Sequence, residues 1–150
     1  MRHLLLMLLL LLSSAARAQD DELITIQSAH SAPVTVQRLQ EAIVADGFTI
    51  FATIDYAAQA AELGVKIPAR TTIAFGWMPG WTHPLILRPT IAIELPFRVL
   101  VWQDSEGVWM TRDTARYIVR YIHRHEAHVN EGLLREQDAK IAAMIENLTR

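Results

Sequence analysis

Residues 97–111 read FRVLVWQDSEGVWMT, and this stretch decides the fold. Two apolar runs, Phe97–Gln103 and 108–111, flank Asp104-Ser105-Glu106-Gly107, a turn composition, so the spacing predicts a β-hairpin. Alternation along the first run puts Phe97, Val99 and Val101 on one face and Leu100 and Trp102 on the other, with Trp109 joining from the neighbouring strand. A sheet covered on one side only carries polar residues on its open side. Leu100, Trp102 and Trp109 are therefore expected to be buried, covered by either the C-terminal helix or a second copy of the protein.

Upstream of the hairpin, residues 23–28 alternate, with Ile24 and Ile26 on one face and Thr25 and Gln27 on the other, which predicts a strand. Ser31 can cap a helix with Pro33 in its first turn, Val36, Leu39, Ile43 and Val44 along its apolar face, and Gly47 at its end. Residues 48–54 predict a second strand in which Phe48, Ile50, Ala52 and Ile54 share a face. Asp55 is a candidate N-cap for a short helix over 56–63, stopped by Gly64. Residues 71–75 predict a third strand. From 76 to 96 four prolines mix the signals: one or two helical turns over 81–87 are expected, and 90–95 is undecided.

Downstream, Thr111 or Asp113 can cap a long helix to about Val129, broken by Gly132, and Leu134, Ile141, Ile145 and Leu148 stripe a final helix. Strands joined by a hairpin and short helices, with helices on one side, predict an α+β fold.

The chain has 150 residues, no cysteine, 51% hydrophobic residues, and 14 Lys+Arg against 16 Asp+Glu. This fits one domain and excludes a disordered chain, a disulfide scaffold, a strongly basic nucleic-acid binder and a multi-span membrane protein. Mean hydropathy is +0.17. Much of the excess lies at the start, where Met1-Arg2-His3, the apolar run 4–12 and Ala16-Arg17-Ala18 match a secretory signal peptide cut between Ala18 and Gln19. The run is too short to span a bilayer. A periplasmic or secreted location follows as the expectation, with no integral span after cleavage. Losing Arg2 and Arg17 would move the net charge from −2 to −4.

Several pieces, in order and spacing, resemble one family. They are Thr35-Val36-Gln37-Arg38-Leu39, Asp46-Gly47-Phe48, Ile54-Asp55, Thr72-Ile73-Ala74-Phe75-Gly76, and the stretch PTIAIELPFRVLVWQD over 89–104 followed by Gly107-Val108-Trp109. They resemble DUF302, a family named for its unknown function. The resemblance implies an antiparallel sheet curved over helices, similar to the TATA-binding-protein-like class, and pairing as a homodimer. Together with the leader pattern, it divides the chain into a signal peptide (1–18), a DUF302-like domain (22–129) and an added C-terminal helical extension (130–150). It implies no reaction and no catalytic residues. Tyr56 stands where the family commonly has histidine, and Gly76-Trp77-Met78-Pro79 where Gly-Asn-Pro is common.

Three constellations could carry function. Trp77, Trp81, Thr82 and His83 lie in the proline-rich segment and, with Tyr56 or Arg98 opposite, could line a pocket for a small ligand. Arg112, Arg116, Arg120 and Arg124 are spaced by four and would form a basic stripe on the long helix, suited to an anionic membrane surface or partner. His125 and His128 are three apart, one short of the zinc-protease spacing, so a divalent metal would need a third ligand such as Glu131 or His83. The reading preferred over a metal or other cofactor is a non-catalytic module that binds a small ligand or a protein. Phosphate-loop, dinucleotide and G-x-S-x-G patterns are absent, and Ser28 and Ser31 beside His30 are only weakly suggestive of hydrolase chemistry.

Overall fold

The computed structural model describes residues 23–114, Tyr117, Arg120 and residues 131–149. Among them five strands form one antiparallel sheet: β1 (Leu23–Ser28), β2 (Thr49–Asp55), β3 (Arg70–Gly76), β4 (Phe97–Gln103) and β5 (Val108–Asp113), in the order β1-β5-β4-β3-β2. The α-helices described are α1 (Ala32–Ala45), α2 (Tyr56–Glu62), α3 (Met78–Leu87) and α4 (Glu131–Glu146), with a 3-10 helix over Pro89–Ile93. The fold is α+β, as the sequence predicts.

Local chemistry sets the helix ends. Asp55 caps α2 by accepting hydrogen bonds from the backbone N–H groups of Ala57 and Ala58, each at 3.0 Å. Gly47 has φ +80° just past α1. There the Phe48 N–H donates to the Ile43 carbonyl at 3.1 Å, and the Gly47 N–H donates to Val44 at 3.0 Å. This double closure directs Phe48 into the core rather than into β2. Ser31 occupies the N-cap position of α1, but its side chain makes no capping bond. Thr35 closes that turn instead, its hydroxyl donating to the Ser31 carbonyl at 3.0 Å.

One face of the sheet carries the core. Ile73, Phe75, Val99, Val101, Val108 and Met110 project from the strands against Leu39 and Ile43 of α1 and Leu134, Ile141 and Ile145 of α4. Burying an aliphatic or aromatic side chain of this kind contributes about 1.5–3 kcal/mol each. Trp81 of α3 closes the end of this core against Phe97, with ring centroids 5.2 Å apart.

The structure corrects the expected face of β2. Ile50 pairs with Phe75, and Ala52 with Ala74, so Phe51 is an extra residue at a bulge. Ile50 therefore points to the core side, whereas Ala52 and Ile54 point to the opposite side. The segment 76–96 is more helical than its prolines suggest. Pro79 sits in the first turn of α3, where no N–H donor is needed, and α3 accommodates Pro84 internally.

β5 continues to Asp113, beyond the predicted end at Thr111. The Thr114 hydroxyl then accepts from the Tyr117 N–H at 3.3 Å, in the capping role expected of Thr111 or Asp113. Gly132 lies inside the first turn of α4.

Candidate recognition face

The second face of the sheet is built from three cross-strand rows. The register aligns Gln27, Trp109, Trp102 and Arg70 in the first, and Thr25, Thr111, Leu100, Thr72 and Ile54 in the second. The third runs Leu23, Asp113, Arg98, Ala74 and Ala52, with the Arg98 guanidinium 3.2 Å from the Asp113 carboxylate. In the single chain Leu100, Trp102 and Trp109 are all half-buried. α4 does not cover them, because Leu134, Ile141 and Ile145 pack with the core residues of the other face.

The two indoles hold a set geometry. Trp102 and Trp109 stack with ring centroids 5.9 Å apart and planes 26° from parallel. The Trp102 Nε1–H donates to Thr111 Oγ1 at 2.8 Å, and Thr111 Oγ1 also lies 2.8 Å from Thr25 Oγ1. The Trp109 Nε1–H donates to Asp104 Oδ1 at 2.9 Å. Both indole N–H groups are thus satisfied within the chain, leaving apolar ring surface outward. The Arg70 guanidinium carbon lies 5.7 Å from the Trp102 ring centroid, within cation–π range. Arg70 is held by donating to the carbonyls of Ala69 at 2.8 Å and Gln103 at 2.6 Å.

Asp104 is the pivot of the hairpin. Its Oδ1 also accepts from the backbone N–H groups of Glu106 at 2.9 Å and Gly107 at 3.0 Å. The Trp109 indole N–H is the largest influence holding the Asp104 carboxyl below its usual range, and it outweighs the opposing effect of burial.

The predicted pocket is not assembled as one site. Trp81 is 6% exposed and belongs to the core beside Phe97, whereas Arg98 lies on the opposite face because successive strand residues alternate. Trp77 is half-buried near Phe48 and Leu133, and His83 and Tyr56 are exposed. The Thr82 hydroxyl donates to the Met78 carbonyl at 2.8 Å within α3. The Ser28 hydroxyl lies 2.7 Å from Thr35 Oγ1 and accepts from the His30 backbone N–H at 3.1 Å.

Arg112 requires a correction. It belongs to β5, not to a helix, and is 4% exposed on the core side. Its Nη1 pairs with Asp138 of α4 and donates to the Asp113 carbonyl at 3.0 Å. It is therefore an internal tie rather than part of a basic surface stripe. Arg120 is exposed, while Arg116, Arg124, His125 and His128 lie outside the described residues.

The model of the family called "Domain of unknown function DUF302" matches residues 24–148. The chain belongs to the DUF302 family. The matched span of this DUF302 protein runs through α4, the helix expected to be an extension. Its fold is similar to the crystal structure of an uncharacterized conserved DUF302 protein from Bacillus stearothermophilus. The TM-score is 0.71 at 13% identity, over 84% of this chain and 97% of that one. Among curated proteins it is similar to "Fluoride-specific ion channel FluC 1" of Brucella suis biovar 1 (strain 1330). The two are 30% identical over 127 residues, 84% of this chain and 46% of the relative. The protein of the same name from Brucella abortus biovar 1 (strain 9-941) is also 30% identical, with 44% of its length covered. The DUF302 chain thus spans less than half of these relatives. Among its described residues no helix is long and apolar enough to cross a membrane.

Proposed function

We propose that this DUF302 protein is an exported, non-catalytic binding module whose recognition surface is the second face of its sheet, and that a second copy covers that face. The observation carrying this reading is the Trp102–Trp109 stack. Both indole N–H groups are hydrogen-bonded inside the chain, and the rings form an apolar platform that α4 leaves uncovered. A platform organised before binding loses little conformational entropy when a partner docks. A two-fold pair would place each copy's rows against the same rows of the other, the self-complementary arrangement of most dimers. Export rests on the leader pattern of residues 1–18.

The test is the solution mass of the chain from Gln19 onward, measured by light scattering across a concentration series. A dimer is expected, with Leu100→Glu shifting it to monomer and Val44→Glu, on α1, leaving it unchanged. A wild-type monomer throughout the series would remove the second copy as the occupant. Mass spectrometry of the protein from the periplasm of its host checks export, since the mature chain should begin at Gln19.

The Brucella relatives favour a second reading, in which the module accompanies a membrane protein. Their shared region would then be a binding attachment to the channel that gives those relatives their name. Unchanged fluoride tolerance of the host on loss of this chain would count against it.

A further inference from the structure

α2 and the loop after it are apolar, yet the chain leaves them open. α2 has seven residues and none of them is buried. Leu63 is 82% exposed, Val65 53%, Tyr56 43% and Ile67 36%. Glu62 and Lys66 are the only charges between Tyr56 and Ala69, and they cancel. A helix this short is marginal in water unless packing supports one of its faces. Its main neighbour among the described elements is β3. Both ends are nevertheless fixed. Asp55 caps the start. At the other end the Val65 N–H donates to the Ala60 carbonyl at 2.9 Å, and the Gly64 N–H to the Ala61 carbonyl at 2.9 Å, with Gly64 at φ +74°. The backbone is thus set in one conformation while its apolar side chains stay exposed.

The place of this segment in the fold ties it to the recognition face. The register pairs Asp55 with Thr71, so Tyr56 takes the next position, beside Arg70. It extends the row of Gln27, Trp109, Trp102 and Arg70 past the end of β2. The loop then returns through Ala69 into Arg70 at the start of β3. α2 and its loop therefore begin and end at the row that carries the tryptophan platform.

We infer that residues 56–67 are an arm of the dimer interface, in which Tyr56, Leu63, Val65 and Ile67 dock on the second copy. The inference rests on the second-copy reading of the platform and extends it. Continuity with the platform favours a second copy as the occupant. So does area: Leu100, Trp102 and Trp109 are already half-buried, and they offer only part of the roughly 800 Å² per partner that a stable pair buries. A segment without net charge has no electrostatic attraction to an anionic membrane or to nucleic acid.

The test uses the chain from Gln19 onward. Analytical ultracentrifugation measures the dimer dissociation constant of the wild type, Leu63→Glu and Ile86→Glu. Ile86, on α3, is 72% exposed and lies outside the arm, so it controls for placing a charge at an exposed apolar position. Leu63→Glu should weaken the dimer about tenfold or more, as losing one buried leucine does. Ile86→Glu should leave it within about twofold. A second measurement needs no variant: in the wild type, hydrogen exchange at the Gly64 and Val65 amides should slow as concentration rises through the dissociation constant. A wild-type dimer that keeps its affinity in Leu63→Glu, or whose exchange at these amides ignores concentration, overturns the arm and leaves the platform reading standing. An equal loss in both variants also overturns it. A wild-type monomer at every concentration overturns the arm together with the reading it rests on.

Discussion

Trp102 and Trp109 face each other across β4 and β5, stacked with ring centroids 5.9 Å apart, and each indole N–H is tied to a different part of the hairpin. Cross-strand aromatic pairs of this kind contribute about 1 kcal/mol beyond the area they bury. A double-mutant cycle with Trp102→Leu and Trp109→Leu, measured by urea unfolding, should return a coupling energy of about that size. The exciton signal of the stacked indoles in circular dichroism should vanish in either single variant. A coupling near zero would mean that the two rings act independently.

Asp104 makes the hairpin sensitive to acid. Its carboxyl titrates below the ordinary 3.8 in the folded chain. A lowered folded value means that the stabilisation is fully present above the unfolded value and is lost as pH falls through the folded one. The Trp109 indole proton should therefore shift in a titration whose midpoint lies below 3.8. In Asp104→Asn the amide oxygen can still accept hydrogen bonds but carries no charge. That variant should unfold at lower temperature at neutral pH, with a smaller loss between pH 7 and pH 3 than the parent. An equal acid loss in both proteins would assign it to other groups.

The Arg112–Asp138 pair should respond asymmetrically to mutation. Arg112 is 4% exposed, whereas the Asp138 side chain is 30% exposed. Asp138→Ala leaves a guanidinium buried without its carboxylate and should cost about 3 kcal/mol. Arg112→Met leaves a carboxylate that reaches water and puts an apolar side chain of similar length into the core, so it should cost less. Denaturant unfolding of both variants measures the order, and the reverse order would contradict the burial difference as its cause.

Gly76 has a packing role. A Cβ at this position would overlap the six-membered ring of Trp81. Gly76→Ala should cost about 2 kcal/mol by overpacking. In a Trp81→Phe background the ring is shorter, and the same change should cost less than about 1 kcal/mol. Thermal unfolding of the four proteins tests this, and equal penalties in both backgrounds would exclude the contact.

Local elements were read most directly from local signals. Asp55, Gly47 and Gly64 mark helix boundaries because caps and positive-φ positions involve only the next few residues. The hairpin was clear for the same reason, since Asp104 organises its own turn. Local signals do not carry the outcome where distant contacts decide. A one-residue bulge at Phe51 reversed the expected face of Ile54, and alternation alone carries no sign of it. Arg112 fitted a four-residue spacing with Arg120, yet β5 runs two residues further than predicted and places it opposite Asp138. The Trp102–Trp109 platform was visible as residues facing one side, but not as a stack tied to Asp104 and Thr111.

The amino-acid sequence by itself determined the strands, the hairpin, the α+β class and the family, because alternation, caps and turn residues act over a few positions. Only the tertiary structure decided which face of β4 is covered. α1 and α4 bring their apolar stripes into the same core as Val99 and Val101, and that choice leaves Leu100, Trp102 and Trp109 half-buried on the other side. The physical reason is that a strand apolar on both faces carries no local preference between them. The preference comes from helices placed far along the chain, whose buried area counts only once they have packed.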